Sequence, residues 1–385
     1  MKVLLAADMH ARGRNGVSSF TMRLARGLRG KGHHVVLICP SADGRPGVIQ
    51  VDGLDVETVR SRWIPGHDVR YSLSRDALPI ASRLVERMRP DVVHVQTHFG
   101  IGHATLTAAE LHGVPVVATN HFLPENLTYG IPIPRCAYDL LRRRLWARVQ
   151  RVYGRASMVT GPTKFAVAAL REHARLEGGA VISGGVDAGR FRSSPGCTKG
   201  VVGAAPTVLF VGRLDPEKRV GDLLSAFAAV ASNTSAMLEI VGDGRSRRRL
   251  ERRARTLGLS DAIAFHGAVD VASLTDIYAR SDVFCMPSVA ELQSLATLEA
   301  MAAGIPVIAA RSPALEELVE HERSGFLYRG GDAAELSRFL TELLTDASLR
   351  QEMGRRGLRI ADGHSLDGTV EGYVRLYADL IEFKR

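Results

Sequence analysis

The stretch from Ser288 to Val307, SVAELQSLATLEAMAAGIPV, contains the strongest local structural signals in this 385-residue chain. Ser294 is a favourable helix N-cap, and the residues after it as far as Ala303 are mostly strong helix formers. Gly304 suits the left-handed position just past a helix, and Pro306 cannot continue one. We therefore predict a short helix that begins near Ser294, with an apolar strand on either side of it.

Two carboxylates in this stretch, Glu291 and Glu299, lie eight residues apart. Glu291 precedes the predicted helix and Glu299 lies inside it, so they cannot share a helical face at a spacing of three or four residues. Even on one continuous helix they would be about 12 Å apart along the axis. The carboxylate pair of a retaining glycosidase requires about 5.5 Å. The spacing instead favours a long, hydroxyl-rich ligand across a helix N-terminus, with a phosphate bound by backbone N–H groups.

Short apolar strands alternate with helix-length segments along the rest of the chain. This pattern predicts an α/β protein with parallel sheets that helices cover on both faces. The predicted strands are residues 2–7, 34–40, 91–96, 115–120, 158–163 and 180–185, followed by 207–213, 237–244, 262–267, 283–288 and 306–310. Because ligands of such sheets bind at the carboxyl ends of the strands, we expect the site in a cleft between two domains.

A segment rich in Gly, Pro and Ser, RSSPGCTKGVVGAAP, separates the two sets of strands. We therefore predict an N-terminal Rossmann-like domain at 1–191, a linker at 192–206 and a second Rossmann-like domain at 207–362. Apolar residues at helical spacing in VEGYVRLYADLIEF predict a last helix within 363–385.

The composition is that of a globular protein, with 45% hydrophobic and 6% aromatic residues. No apolar run approaches the roughly 18 residues of a membrane span. The N-terminal MKVLLAADMH becomes polar too soon for a signal peptide, and the four cysteines lack metal-ligand spacing. We therefore expect a cytoplasmic protein without a disulfide framework. The net charge of +9 suits nucleic acid, anionic lipid and nucleotide diphosphates alike.

Two cations follow a predicted strand in VLFVGRLDPEKRV. Arg213 comes at the end of the strand, and Lys218 lies in a turn that we expect to start a helix near Pro216. Cations at a strand end beside a helix N-terminus can bind a diphosphate and stabilise the charge that grows as a bond to it breaks. The alternative is a pair of solvated surface cations, which is what most Lys and Arg side chains are.

Together these motifs resemble those of the retaining glycosyltransferases of the GT-B fold, in the large family that includes sucrose synthases and phosphatidylinositol mannosyltransferases. The shared features are the E-x7-E pair followed by LEAMAAGIPVI, and the GR…EK motif. The resemblance implies two Rossmann-like domains that face each other across a cleft, and a C-terminal helix that returns to the first domain. It also implies transfer of a hexosyl group from a UDP- or GDP-linked sugar to a hydroxyl acceptor. No cofactor is required, and neither Mg²⁺ nor another metal is predicted.

The resemblance assigns roles to individual residues. Arg213 and Lys218 bind the leaving diphosphate, Glu299 the ribose hydroxyls and Glu291 the hydroxyls of the sugar. Further donor contacts fall on Gly16 after the first strand, Gly242 in the GDG turn, Gly267 in the loop that holds the base, and Gln293, Ser294 and Leu295. Many relatives have Phe-Gly in place of Gln293-Ser294 and a glycine pair in place of Ser312-Pro313, so the sequence leaves the choice of sugar open.

Four histidines, His94, His98, His103 and His121, crowd the ends of two predicted strands. They do not form a zinc set, because the first two are four apart without a helix and no cysteine or acid joins them. In relatives, a histidine placed like His121 points toward the transferred sugar, so the resemblance gives His121 a catalytic role. A core or capping histidine is the alternative.

Residues 135–156 combine many arginines with apolar residues at helical spacing. The pattern fits a helix lying on anionic lipid, and it fits a helix with its apolar face packed inward at least as well. The expected partners are a nucleotide sugar and a hydroxyl acceptor, either a lipid or a small molecule. Peripheral contact with the inner face of the membrane stays open. Nucleic acid is not expected, because no aromatic residues interleave the arginines at 245–255.

Two other classes of protein remain as alternatives. A nucleotide-sugar 2-epimerase, or another enzyme such as a phosphorylase, would share this architecture and change the reaction. A basic nucleic-acid-binding protein would ignore nucleotide sugars and bind DNA with strong salt dependence.

Overall fold

The structure, a computed structural model, describes residues 1–11, 13, 15–63, 70–124, 129, 134–192 and 205–384. The chain divides into two compact units. Unit 1 comprises Met1–Thr128, Pro132–Gly185 and Leu366–Arg385, and unit 2 comprises Tyr129–Ile131 and Val186–Ser365. The change of unit after Gly185 comes earlier than the predicted domain end at 191. The predicted linker at 192–206 lies largely outside the described residues.

Unit 1 contains an eight-stranded sheet with the strand order β10-β9-β8-β7-β1-β2-β4-β3, and a separate two-stranded ribbon of β5 and β6. All neighbours in the large sheet are parallel except β3 and β4. The strands are β1 Lys2–Ala6, β2 His34–Pro40, β3 Gly47–Val51, β4 Leu54–Val59, β5 Arg62–Trp63, β6 Arg70–Tyr71, β7 Val92–Val95, β8 Val116–Thr119, β9 Met158–Gly161 and β10 Ala180–Val181.

The antiparallel hairpin of β3 and β4 was not predicted. Its strands are joined by Asp52 and Gly53, which both have positive φ, of 52° and 73°. Asp-Gly is a favoured pair for a two-residue hairpin turn of this kind, so the sequence did contain a signal. The signal is weak because β3 is an edge strand with four of its five residues exposed, so it lacks an alternating apolar pattern.

Unit 2 is built on a six-stranded parallel sheet with the order β13-β12-β11-β14-β15-β16. The strands are β11 Thr207–Val211, β12 Met237–Val241, β13 Ile263–Gly267, β14 Val283–Met286, β15 Val307–Ala310 and β16 Gly325–Tyr328. The strand β16 was missed by the sequence analysis. Strands β12 and β13 are added on one side of β11, and β14, β15 and β16 are added on its other side. The topological switch point, where ligands of such sheets bind, therefore lies between β11 and β14.

Helices cover both sheets. They are α1 Gly16–Gly30, α2 Ser74–Met88, α3 Gly100–Leu111, α4 Arg135–Tyr153, α5 Lys164–Ala174, α6 Ala188–Phe191, α7 Val220–Ala231, α8 Arg247–Thr256, α9 Val271–Arg280, α10 Leu295–Ala302, α11 Pro313–Glu316, α12 Ala333–Thr345, α13 Ala347–Asp362 and α14 Leu366–Lys384. No helix of the described part of the chain combines the length and apolar character that crossing a bilayer requires.

The last helix, α14, belongs to unit 1 and packs against α1, as the resemblance implied. Val370, Tyr373 and Tyr377 of α14 are fully buried in the same core as Leu24 and Leu28 of α1. The aromatic bodies supply buried apolar area, and both tyrosine hydroxyls find buried partners, as burial of a phenol requires. The C-terminal segment is thus part of the core of unit 1.

Two glycines of α1 test this packing. A Cβ added at Gly27 would lie 2.4 Å from Cγ2 of Val370, whereas one added at Gly30 would meet nothing within 4 Å. We expect Gly27→Ala to destabilise the protein by about 1–3 kcal/mol, because the branched, buried Val370 cannot give way. Gly30→Ala should stabilise it by up to about 1 kcal/mol through helix propensity. Urea unfolding of both variants measures the difference, and equal midpoints would contradict the packing of α14 on α1.

Candidate active site in the second unit

The loops that follow β11 and β14 meet at the switch point of the unit 2 sheet. Residues Pro216–Lys218 form a single 3₁₀ turn, and α7 begins at Val220. The expected helix start near Pro216 is therefore a 3₁₀ turn. The N–H of Val289, in the loop after β14, donates to the carbonyl oxygen of Glu217 at 3.4 Å. The two loops are thus connected through their backbones.

Lys218 and Glu291 form an ion pair between these two loops, Nζ donating to Oε1. Only 14% of the lysine side chain and 11% of the glutamate side chain are exposed to solvent. Water therefore screens the pair less than it screens an ion pair on the surface. The structure brings together two residues that the sequence analysis had assigned to different parts of a ligand.

Arg213 is held by two acids from its own loop, Asp215 and Glu217. Its Nη2 donates to Oε1 of Glu217 at 2.9 Å, and Glu217 is only 1% exposed. Asp215 also accepts from Nε of Arg245 at 3.3 Å. The buried carboxylates fix the guanidinium, although about half of the surface of the Arg213 side chain as a whole is exposed to solvent. Arg213 is therefore an oriented cation and not a freely solvated one.

Arg219 follows Lys218 directly and has a left-handed backbone, with φ of +50°. This conformation is costly for a residue with a Cβ. Its guanidinium donates to Asp222 at 2.7 Å and to the hydroxyl of Tyr129 at 2.8 Å. These bonds hold the strained turn that carries Lys218.

The ionic groups in the loops around Lys218, without Glu299 on α10, balance in charge. Each cation is paired with at least one of the acids, and there are four of each sign: Arg213, Lys218, Arg219 and Arg245 against Asp215, Glu217, Asp222 and Glu291. An incoming anion therefore meets cations whose nearest neighbours are carboxylates.

Glycines allow the carboxyl ends of three neighbouring strands to converge. The N–H of Gly242 donates to the carbonyl of Gly267 at 2.7 Å. A Cβ on Gly242 would lie 1.9 Å from the carbonyl oxygen of Gly212, which no side chain can tolerate. Gly267 has φ of +69°, in the region that favours glycine. Gly242 and Gly267 are thus required by the backbone, whatever they contact in a ligand.

The helix α10 confirms the local prediction from SVAELQSLATLEAMAAGIPV. The Oγ of Ser294 accepts the N–H of Thr297 at 3.3 Å as the N-cap. At the other end Gly304 has φ of +68°, and the N–H groups of Gly304 and Ile305 donate to Met301 and Ala300 in a Schellman motif. These caps fix where α10 starts relative to Glu291.

Glu299 lies on α10 and is half-buried. Its Oε2 accepts a hydrogen bond from the hydroxyl of Tyr278 at 3.2 Å. The hydroxyl oxygen also lies 3.1 Å from the carbonyl oxygen of Ala296, so its single proton is shared between the two acceptors. Tyr278 was not singled out from the sequence, and it orients the carboxylate that the resemblance assigns to the ribose. Gln293, Ser294 and Leu295 stand at the N-terminus of the same helix.

In unit 1, His121 follows β8 and is half-buried. Its Nε2 lies 2.9 Å from the side-chain amide of Gln96, within hydrogen-bond distance. Burial lowers the pKa of His121 to about 4, so the ring is neutral near pH 7 and has one nitrogen that donates and one that accepts. Gln96 was not chosen from the sequence, although it ends the predicted strand DVVHVQ.

The other three histidines have structural surroundings. His94 is buried within β7 and is hydrogen-bonded to Tyr377 and Thr119, each at 2.6 Å. His98 is buried among Phe99, Phe122 and Tyr153. His103 lies on α3, 3.3 Å from Arg155. Within the described ranges, no group of three His, Cys, Asp or Glu side chains has the arrangement of a metal site.

Gly16, the remaining predicted donor residue, is the first residue of α1, and Asn15 caps that helix by accepting the N–H of Ser18 at 3.0 Å. Gly16 is exposed to solvent. The acids that position the cations were missed, although Asp215 and Glu217 stand inside the quoted motif RLDPEK. The sequence analysis had weighed only the cations of that motif.

Comparison with known proteins identifies the class. Residues 14–190 match the family described as Glycosyltransferase Family 4, and residues 199–359 match Glycosyl transferases group 1. The structure resembles sucrose-phosphate synthase from Thermosynechococcus elongatus, with a TM-score of 0.83, 20% identity and 99% and 100% of the two chains covered. It also resembles Anabaena Alr3699/HepE in complex with UDP and glucose, with a TM-score of 0.77, 20% identity and 98% and 100% covered. The fold is GT-B.

Sequence relatives are closer. The chain is 31% identical to a GDP-mannose-dependent alpha-mannosyltransferase of Mycolicibacterium smegmatis, over 85% of this chain and 84% of that protein. It is 28% identical to a D-inositol 3-phosphate glycosyltransferase of Salinispora arenicola, over 95% of this chain and 87% of that protein. The chain belongs to the glycosyltransferases described as Glycosyltransferase Family 4 and Glycosyl transferases group 1, as its motifs indicated.

The buried imidazole of His98 generates a prediction on stability. Burial, aided by the charge of Arg148, lowers its pKa to about 3. Because the unfolded chain binds a proton near pH 6.5 and the folded chain does not, stability falls as the pH drops below that value. Between about pH 8 and about pH 5 this histidine should cost about 2 kcal/mol. His98→Phe should lose that much less stability in urea unfolding, and an unchanged pH dependence would contradict the assignment.

Proposed function

We propose that this chain is a retaining hexosyltransferase that transfers a hexose from a GDP- or UDP-linked donor to a hydroxyl group. The observation that carries the proposal is the ion pair of Lys218, in the loop after β11, with Glu291, in the loop after β14. Arg213 stands in the first of these loops, and Glu299 lies on α10, which follows the second. The two cations and Glu291 stand on neighbouring loops and Glu299 on the helix after the second loop, so groups for a diphosphate and for hydroxyls occur together at this end of the unit 2 sheet.

Each group has a separate role in the proposal. Arg213 and Lys218 stabilise the diphosphate as it takes up negative charge. Glu299, oriented by Tyr278, accepts hydrogen bonds from the ribose hydroxyls, and Glu291 accepts them from the sugar. Backbone N–H groups at Gln293, Ser294 and Leu295 bind the donor near the start of α10.

The bond change needs no protein nucleophile. The acceptor oxygen forms a bond to the anomeric carbon on the face that the diphosphate leaves, so the configuration is retained. The bond from carbon to phosphate oxygen breaks, and the leaving phosphate takes the proton of the acceptor hydroxyl. Positioning and charge stabilisation then supply the catalysis.

For unit 1 we propose that the neutral ring of His121 hydrogen-bonds a sugar hydroxyl through Nδ1, since its Nε2 is hydrogen-bonded to the side chain of Gln96. Gly16 is proposed to let a backbone N–H approach a donor phosphate. GDP-mannose is the first donor to test, because two relatives that are 31% and 30% identical to this chain are named for it. UDP-glucose is the second, because HepE was solved with UDP-glucose.

Donor binding and turnover test the proposal. A thermal-shift panel of UDP-, GDP-, ADP- and dTDP-sugars should show stabilisation by one of them. With that donor, Glu299→Ala should raise the Kd about tenfold or more by removing the ribose contact. Lys218→Ala should mainly lower kcat, by about 100-fold, because it removes charge stabilisation of the leaving group. Stabilisation by none of the sugars would contradict the function, and unchanged kinetics in both variants would contradict the site. Release of nucleotide without an acceptor would favour an epimerase.

A lipid acceptor or peripheral contact with the inner face of a membrane is a second part of the proposal. The C-terminal half of α4 packs inward through Trp146, Val149 and Val152, as an ordinary helix would. Its N-terminal half exposes Leu140 and Leu141, at 51% and 39%, among exposed arginines. Exposed apolar residues with a basic surround suit an anionic bilayer surface.

Vesicle sedimentation tests this contact. Vesicles of phosphatidylcholine with phosphatidylglycerol should bind the protein, and changing both Leu140 and Leu141 to Gln should lower binding about thirtyfold, since each leucine loses about 1 kcal/mol of burial. Leu257→Gln, at an exposed apolar position of unit 2, is the matched control and should bind as wild type. Equal binding by all three proteins would contradict a role for α4.

A further inference from the structure

The ammonium group of Lys218 serves two partners in the proposed function. In the structure it is bound by the carboxylate of Glu291, and in the proposed reaction it meets the diphosphate of the donor. A diphosphate that reaches Nζ of Lys218 must also come within a few ångströms of Glu291. Two anions at that separation repel each other, whether or not the lysine keeps both contacts.

Among the described residues, the cations beside Lys218 already have carboxylate partners of their own. Arg213 is held by Asp215 and Glu217, and Arg219 is held by Asp222. The pair of Lys218 and Glu291 is also nearly enclosed, so solvent does little to screen the carboxylate. Binding an anion here therefore requires that Glu291 give up Lys218, or that it find another partner.

We propose that Glu291 competes with the donor diphosphate for Lys218, and that the hydroxyls of the hexose relieve this competition by binding the displaced carboxylate. The inference rests on the proposed function and deepens it. An intact donor supplies both the diphosphate for Lys218 and the hydroxyls for Glu291. The nucleoside diphosphate left after transfer still has the diphosphate but no hexose hydroxyls. Glu291 therefore pairs with Lys218 again and displaces the product.

The neutral variant Glu291→Gln separates the two effects. It keeps the size of the side chain and removes the competing charge. In calorimetric titrations its Kd for inorganic pyrophosphate, and for GDP or UDP as the donor panel selects, should fall about tenfold. The Kd for the intact sugar nucleotide should rise or stay unchanged, because the hydroxyls lose a charged acceptor. The preference for donor over product therefore shrinks, and product inhibition becomes stronger.

Two controls assign the effect to this pair. In a Lys218→Met background the same Glu291→Gln change should no longer tighten binding of pyrophosphate, since no ammonium remains to compete for. Asp215→Asn removes a different carboxylate, one that holds Arg213 and Arg245. Any change that it causes in the affinity for pyrophosphate should persist in the Lys218→Met background. Glu291→Ser gives the same test with a smaller side chain if the glutamine variant folds poorly.

The outcomes are distinguishable. If the wild-type protein binds no nucleotide sugar, the proposed function itself fails. If the wild type turns over a donor but Glu291→Gln leaves the affinity for pyrophosphate and nucleoside diphosphate unchanged, the exchange is overturned and the function stands. A gain in affinity that survives in the Lys218→Met background would also overturn it, because the effect would then be a general loss of negative charge.

Discussion

Parallel pairing of β11 with β14 is the constraint on which the site depends. The two strands are paired in register at Val208 with Val283 and at Leu209 with Phe284, although they are far apart in the sequence. Their carboxyl ends therefore point to one edge of the sheet, and the loops that leave them must meet. The ion pair of Lys218 with Glu291 forms across that junction. Without the adjacency of these strands, the two residues would be an exposed lysine and an exposed acid.

Acids do most of the positioning in unit 2. Lys and Arg side chains have long, flexible stems, and fixing one costs about 2 kcal/mol of side-chain entropy. The ion pairs of Asp215 and Glu217 offset this entropy loss for Arg213. The bonds from Asp222 and Tyr129 offset it for Arg219. In a site arranged in this way the acids hold the cations in place, but they also weaken the attraction of the cations for an anionic ligand. The balance between the two determines how strongly a diphosphate binds and how readily it leaves.

Histidines of unit 1 show how one residue type takes different roles at one end of a sheet. His94 is locked between Tyr377 of the last helix and Thr119 of β8, so it joins the C-terminal segment to the sheet. His121 has one ring nitrogen fixed by Gln96 and keeps some exposure. Burial lowers the pKa of both, so both are uncharged at neutral pH. Neutral rings can hydrogen-bond hydroxyl groups without attracting phosphate.

The sequence by itself determined the features that depend on neighbouring residues. Apolar runs predicted most strands, and Ser294 and Gly304 predicted both ends of α10, because capping and periodicity are local. The motifs also indicated the family. Only the tertiary structure decided that Lys218 faces Glu291, that Asp215 and Glu217 clamp Arg213, and that His94 meets Tyr377. The order of the strands and the packing of α14 on unit 1 determine those contacts. Both depend on the free energy of packing the whole unit.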